Sequence, residues 1–204
     1  MMKAYQICYG GLLGKIVEAE RVAPEGFTFT APEGSPDAVW QWAGRSWREI
    51  SAETAELLQQ EAQYAEAEER LTALGAAIDA ERDARIAAGM PYAFPDGKGT
   101  VQLRNERDIT NVIGVGTSGM MLDAAGDAET TVGFRDQEDV THPLAGAQAQ
   151  ALGQAVMAWM SAHYAAAWAH KDAVKRLAEA GDLAALDAYD IGAGWPEVGA
   201  AAAA

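Results

Sequence analysis

A single cysteine, Cys8, occurs in the 204 residues, so no intrachain disulfide can form and the fold must be held by packing or association. A lone thiol in a strand-like run reads as a small buried apolar residue, and no histidine stands near it in sequence to activate it as a nucleophile. Basic residues are the second scarcity: 15 Lys and Arg stand against 30 Asp and Glu, a formal net charge of -15 at pH 7. No local Lys/Arg cluster offsets that field, which repels a phosphate backbone, so no nucleic-acid partner is expected. Long apolar runs are missing as well. Nothing approaches the roughly 20 apolar residues needed to span a bilayer, and Ile7 to Gly14, interrupted by glycine and preceded by Lys3 alone, makes a poor signal peptide. The expectation is a soluble protein made in a reducing cytoplasm, without membrane insertion.

What is present is a sizeable apolar fraction, 50% of the residues, enough to bury a core over a length that admits one or two domains. Residues 1–50 show the period-2 alternation of half-buried strands at Tyr5, Ile7 and Tyr9, at Phe27 and Phe29, and at Trp40 and Trp42. Ala43-Gly44-Arg45-Ser46 supplies a turn that folds Trp47 back towards Trp40 and Trp42 as a hairpin. Two readings of these tryptophans stand side by side. They fill the core of a small sheet, or they present a rigid aromatic platform to a partner or a sugar ring.

From Ser51, which suits a helix cap, the chain runs without proline, and without glycine before Gly75, so the spacing predicts one long helix over 51–88. Leu57, Tyr64, Leu71 and Ile78 recur every seven residues, with Ala67 and Leu74 three after Tyr64 and Leu71, an a/d-like stripe interrupted by Gln60 and Glu81. A stripe this narrow buries little against a large core. It has two natural partners: a copy of itself, through Leu57, Tyr64, Leu71, Leu74 and Ile78, or the chain's own C-terminal helix.

Residues 89–140 are glycine-rich with short strands. Phe94-Pro95-Asp96-Gly97-Lys98-Gly99 marks a hairpin turn with Thr100 to Arg104 returning, Asp108 to Ile113 fits helix or strand, and Thr130 to Arg135 supplies a third strand. Gly114-Val115-Gly116-Thr117-Ser118-Gly119 satisfies G-x-G-x-x-G, but dinucleotide sites need those glycines between a strand and a helix of a βαβ unit, and Gly126 cuts the following segment short. A tightly turning loop is expected there, with no cofactor; a nucleotide-binding enzyme using Gly114–Gly119 is the alternative. Ser118 does not lie in G-x-S-x-G. Asp136, Glu138 and Asp139 lack the ligand spacing of a calcium loop and read as a solvated turn. Over 141–190, Thr141 suits a cap, Pro143 a first helical turn, and Leu144, Leu152, Val156, Trp159, Met160, Val174 and Leu177 an apolar face, with Gly181 ending the helix before a short second one. His163 and His170, seven apart, share a side of it, yet a metal needs at least three convergent ligands, so no metal is expected. Residues 191–204 read as a flexible tail with few anchors beyond Trp195 and Pro196.

The succession of these features forms a pattern of its own. A helix end at Asp83 to Gly89 leads to a hairpin with Tyr92, Phe94 and Asp96-Gly97-Lys98-Gly99, then to Asp108-Ile109-Thr110-Asn111-Val112-Ile113 and the run Thr131 to Arg135. His142-Pro143-Leu144 follows as a helix start, then Trp159 and a helix end from Lys171 to Leu177. Over about residues 82–180 this order resembles an uncharacterised domain of tailed-phage tail-fibre, tail-tip and fibre-assembly proteins. Trp40-x-Trp42-x-Gly44-x-x-Trp47 is similar to a short tryptophan hairpin near the ends of phage fibre-assembly proteins.

The resemblance implies an α+β architecture. Its parts are a small N-terminal β domain with the Trp hairpin (1–50), a long helix and possible coiled coil (51–88), an α+β phage-tail-like domain with a β-hairpin or three-strand insert and C-terminal helices (89–190), and the tail (191–204). It favours a helical turn capped by Asp108. It also implies a non-enzymatic structural part of a phage or prophage tail, in the fibre, tail tip or baseplate, made in the bacterial host cytoplasm and carried in the virion tail. Such a part contacts other phage tail proteins, here through Trp40, Trp42 and Trp47, and associates with itself, a trimer being favoured. A fibre-assembly chaperone that caps a nascent fibre and then leaves is the alternative.

Overall fold

The computed structural model describes residues 2–7, 13–19, 27–28, 39–42 and 47–196. The fold is α+β: short antiparallel strand pairs and helices, with the two longest helices carrying most of the chain's regular structure. Two compact units form, and the division falls inside those helices, at residues 70 and 176, instead of at 50 or 88.

One unit comprises Met1–Arg70 and Leu177–Asp187. Strands β1 (Met2–Ile7), β2 (Leu13–Ala19) and β3 (Phe27–Thr28) make an antiparallel sheet in the order β2-β1-β3. Strands β4 (Val39–Trp42) and β5 (Trp47–Ile50) make a separate hairpin in which Trp42 stands opposite Trp47. Trp40 is buried and Trp42 half-buried, so Trp40 fills core space and is not part of an open aromatic platform. The Trp47 side chain lies outside the described residues, as do Tyr9, Phe29 and the turn at 43–46. Helix α1 (Ala52–Ala87) begins where the Thr54 amide donates to Ser51 Oγ at 3.1 Å, satisfying an end amide that has no partner within the helix. Gln63 Nε2 donates to the Gly181 carbonyl at 2.6 Å, and Arg70 Nε pairs with Asp187 Oδ1 at 2.6 Å, tying α1 to the segment of the short helix α4 (Leu183–Asp187).

The other unit comprises Leu71–Arg176 and Ala188–Ala204. After α1 come the hairpin β6 (Met90–Phe94) and β7 (Gly97–Val101), helix α2 (Glu106–Ala125), the hairpin β8 (Val132–Arg135) and β9 (Thr141–Leu144), and helix α3 (Gly146–Glu179). Alternation along the strands sends Met90, Phe94, Val101, Phe134 and Leu144 inward to meet Val112 of α2 and Leu152, Val156 and Trp159 of α3 in one core. Each such side chain contributes about 1.5–3 kcal/mol on burial. Lys171 Nζ donates to Asp79 Oδ2 at 2.7 Å and the Arg82 guanidinium lies 4.7 Å from the Tyr164 ring centre, so α1 meets the chain's own α3 here. The hydrogen bond from Lys171 holds the Asp79 carboxyl below its ordinary range.

Four expectations for this unit are corrected. Residues 106–125 form a 20-residue helix, not a turn followed by a loop, and its cap is Asn105, whose Oδ1 accepts the Arg107 and Asp108 amides at 3.0 and 3.1 Å. Asp108 instead accepts from Arg104, through the backbone amide at 3.1 Å and Nε at 2.9 Å. The three-strand insert is two separate hairpins: β8 pairs with β9 and not with β6 or β7. His142-Pro143-Leu144 is not a helix start but strand β9, where Pro143 is tolerated because a two-stranded sheet leaves an edge without a ladder partner. Finally, residues 191–196 are anchored: the Trp195 ring is buried, its Nε1 donates to the Ile191 carbonyl at 2.7 Å, and the Arg85 guanidinium sits 5.3 Å from the ring centre. Residues 197–204 lie outside the described residues.

Candidate functional site

Strand alternation in β9 exposes Thr141 and Pro143 and turns His142 inward. Its Nδ1 is 2.6 Å from Asp96 Oδ1, its Nε2 is 3.1 Å from Asp136 Oδ2, and its ring stacks on Phe94 at 3.8 Å with 4° between the planes. A carboxylate oxygen is an acceptor, so this arrangement favours the ring with both nitrogens protonated and donating. Burial acts to lower the His142 pKa, but hydrogen bonds to Asp96 and Asp136 outweigh it and raise the value above the ordinary 6.5. Burial likewise acts to raise the Asp136 pKa, and donation from His142 and the Val140 amide, the latter at 2.8 Å, outweighs it and brings the value below 3.8. Asp136 is therefore a buried structural anion, which corrects its reading as part of a solvated turn; Glu138 and Asp139 remain exposed. The cluster joins the β6–β7 turn to the β8–β9 hairpin. Both ring nitrogens of His142 are thus engaged by carboxylates within the fold.

His163 and His170 do share one side of α3, and both are buried. His163 Nδ1 donates to the Trp159 carbonyl at 2.9 Å, while Nε2 is enclosed without a partner. His170 Nε2 donates to the Ala193 carbonyl at 2.9 Å and Nδ1 accepts from the Tyr189 hydroxyl at 2.9 Å. Among the described residues no group of three or more His, Cys, Asp or Glu is placed to hold a metal ion. Trp195 stacks over this pair, with its ring centre 5.2 Å from His170 and 6.4 Å from His163.

The Gly114–Gly119 motif lies wholly inside α2, so it has no strand before it and no helix N-terminus at which to hold pyrophosphate. Two of its three glycines, Gly116 and Gly119, serve helix packing, and Gly114 faces open space. A Cβ on Gly116 would sit 3.3 Å from Gly153 Cα, and one on Gly119 would sit 2.5 Å from the Gly146 carbonyl oxygen: α2 and α3 meet backbone to backbone. The helix stops at Gly126, at φ 68°, whose amide donates to Asp123 and Leu122 carbonyls.

Outside this crossing runs a groove of about 400 Å³ lined by Ile113, Gly116, Met120, Gly153 and Met157 among others. Met120 and Met157, which line it, stand 53% and 54% exposed, and Trp168 further along α3 stands 62% exposed; large apolar groups on solvent mark contact surfaces. Of the stripe singled out on α1, Leu57 and Tyr64 are 56% and 46% exposed, Leu71 and Leu74 are half-buried, and Ile78 is fully enclosed within its own unit. The more enclosed face of the first half of α1 instead runs through the buried Ala55 and Ala67 with the half-buried Leu58 and Ala62, mostly alanines that a search for large apolar repeats passes over. The α2–α3 surface was also missed, although Met157 and Tyr164 show the same seven-residue spacing that exposed the α1 stripe.

Fold and surface together define an α+β protein with an internal histidine–carboxylate clamp and an exposed apolar helical face. Residues 66–193 match the model of the domain of unknown function DUF4376, and the chain belongs to that family. Comparison with curated proteins and with solved structures gives no match. Among the described residues no helix is long and apolar enough to cross a membrane.

Proposed function

We propose that this chain is a non-enzymatic structural component of a phage or prophage tail, in the fibre, tail tip or baseplate, working through contacts with other tail proteins and with copies of itself. The phage-tail part of the reading is supported by the ordered motifs of residues 82–180 and by the tryptophan hairpin. The observation that carries the mode of action is the exposed apolar surface: Met120, Met157 and Trp168 on one unit, and Leu57 and Tyr64 at seven-residue spacing on the other. Groups of this size gain about 1.5–3 kcal/mol each when a partner covers them. Self-association uses Leu57 and Tyr64 with the half-buried Leu71 and Leu74, and the resemblance to tail-fibre and tail-tip proteins favours a trimer. Ile78 serves the chain's own core.

Quantitative proteomics of purified particles from the host strain tests the reading. The chain is expected at stoichiometric copy number beside the other tail proteins. Its absence from particles, together with rescue of fibre solubility on co-expression, would make it a departing assembly chaperone. Absence without rescue would refute both.

A further inference from the structure

Residues 189–195 coil into a loop that closes hydrogen bonds on itself. Trp195 Nε1 donates to the Ile191 carbonyl at 2.7 Å, the Gly192 amide donates to Asp190 Oδ1 at 2.8 Å, and Gly194 takes a left-handed φ of 77°. Asp190, Gly192, Ala193 and Gly194 face solvent, and Trp195 alone in the loop is buried. The indole thus enters the rest of its unit with its polar edge already satisfied by its own loop.

The wall that receives it consists of His163 and His170 on α3 and Arg85 at the end of α1. The Trp195 ring lies 5.2 Å from His170 at 30° and 6.4 Å from His163 at 26°, with the Arg85 guanidinium 5.3 Å from its centre. Around the ring, the Ala193 carbonyl accepts from His170 Nε2 at 2.9 Å, the Tyr189 hydroxyl donates to His170 Nδ1 at 2.9 Å, and the Gly192 carbonyl accepts from Arg85 Nη2 at 3.2 Å. One polar atom of the wall is left over. His163 Nε2 is enclosed and has no partner among the described residues, because Nδ1 holds the proton that goes to the Trp159 carbonyl. Trp195 stacks beside this acceptor, but its N–H is engaged by Ile191.

We propose that this wall is a recognition slot for an indole side chain carried on a segment of another protein, and that residues 189–195 are a self-ligand that closes it until displaced. The resident ring shows which group the slot accepts: a flat aromatic laid along imidazoles and capped by a guanidinium. The unpaired nitrogen shows what a displacing ring adds. An indole whose N–H is free donates to His163 Nε2, and pairing an enclosed acceptor strengthens binding about tenfold. A second copy of the chain offers only the same loop, its N–H already engaged, against a tethered loop at an effective concentration on the order of millimolar. The advantage over the tether therefore belongs to a different segment. This slot does not rest on the phage-tail reading.

Calorimetric titration of the full-length chain with the peptide Gly-Gly-Trp-Gly-Gly tests the proposal. Trp195→Ala, which vacates the slot, is expected to bind the peptide at least about tenfold more tightly than the parent. Gly194→Val strains the loop at its left-handed φ, leaves the wall intact and should admit the peptide too; circular dichroism checks both folds. Replacing the peptide's tryptophan by 1-methyltryptophan, which has no ring N–H, should cost about tenfold in Trp195→Ala and nothing once His163→Phe is added. No gain in either opened variant, or equal affinity for the two peptides in Trp195→Ala, would overturn the proposal. So would tighter binding of a peptide of residues 188–196, which assigns the slot to second copies, or of free indole, which makes it a small-molecule site.

Discussion

Gly114 and Gly119 lie on the same helix and give opposite answers to one added methyl group. A Cβ at 119 would stand 2.5 Å from the Gly146 carbonyl oxygen, 2.7 Å from Ala149 Cβ and 2.8 Å from the Gln150 amide nitrogen, whereas one at 114 meets nothing within 4 Å. The opposing atoms at 119 belong to the α3 backbone and a Cβ, which no rotamer change can move aside, so α3 must shift off α2. Overpacking of this kind costs about 1–3 kcal/mol, and backbone contacts below 3 Å place Gly119→Ala near the top of that range. Alanine in place of glycine returns about 1 kcal/mol of helix propensity, leaving a net loss of about 1–2 kcal/mol. Gly114→Ala keeps the propensity gain alone and is expected to stabilise by about 0.5–1 kcal/mol. The two variants should thus separate by about 2–3 kcal/mol, or about 4–12 °C in Tm for a chain of this length. Thermal unfolding followed by far-ultraviolet circular dichroism, with urea midpoints alongside, reads that separation. A Gly119→Ala protein that melts at or above the parent would refute a glycine-mediated crossing of α2 and α3.

The same physics makes further expectations concrete. Ile78→Ala removes a fully enclosed side chain and should cost about 2–5 kcal/mol in urea unfolding, while Leu57→Ala, largely on solvent, should stay within about 0.5 kcal/mol for the single chain. Asn105→Ala deletes the acceptor for two end amides of α2 and should cost about 1 kcal/mol, with hydrogen exchange speeding first at Arg107 and Asp108. The raised His142 pKa adds stability that is complete below the ordinary 6.5 and is lost as pH climbs through the folded-state value; the lowered Asp136 pKa adds stability that is complete above 3.8 and is lost as pH falls through its own. The parent's stability advantage over His142→Gln should therefore be greatest between about pH 4 and 6.5 and shrink on either side. An advantage that is flat from pH 4 to 9 would show that His142 is neutral.

The long helices were legible because their signals are local: no proline over 51–88, a cappable serine, and apolar residues at helical spacing. Helix α2 was misread because its three glycines lower local propensity, and the compensating contact comes from Gly146, Ala149 and Gly153, distant in sequence. Proline at 143 was ambiguous in itself, since the first turn of a helix and the edge of a sheet accept it equally well. The His142 cluster was invisible for another reason. Asp136 is six residues away, but the second carboxylate, Asp96, is 46 residues away, and nothing in either neighbourhood announces the other. On the α1 stripe, heptad spacing identified large apolar residues correctly but not their fate: the fold enclosed Ile78 and left Leu57 and Tyr64 outside.

All three imidazoles of the chain, at 142, 163 and 170, are enclosed, and none turns a free nitrogen to the medium. The untagged protein should pass unretained through immobilised nickel, and acylating reagents such as diethyl pyrocarbonate should reach the rings only when a segment opens. Carbethoxylation at each position then becomes a clock for local unfolding: position 142 times the release of the paired hairpins, and position 170 the lifting of the Trp195 segment.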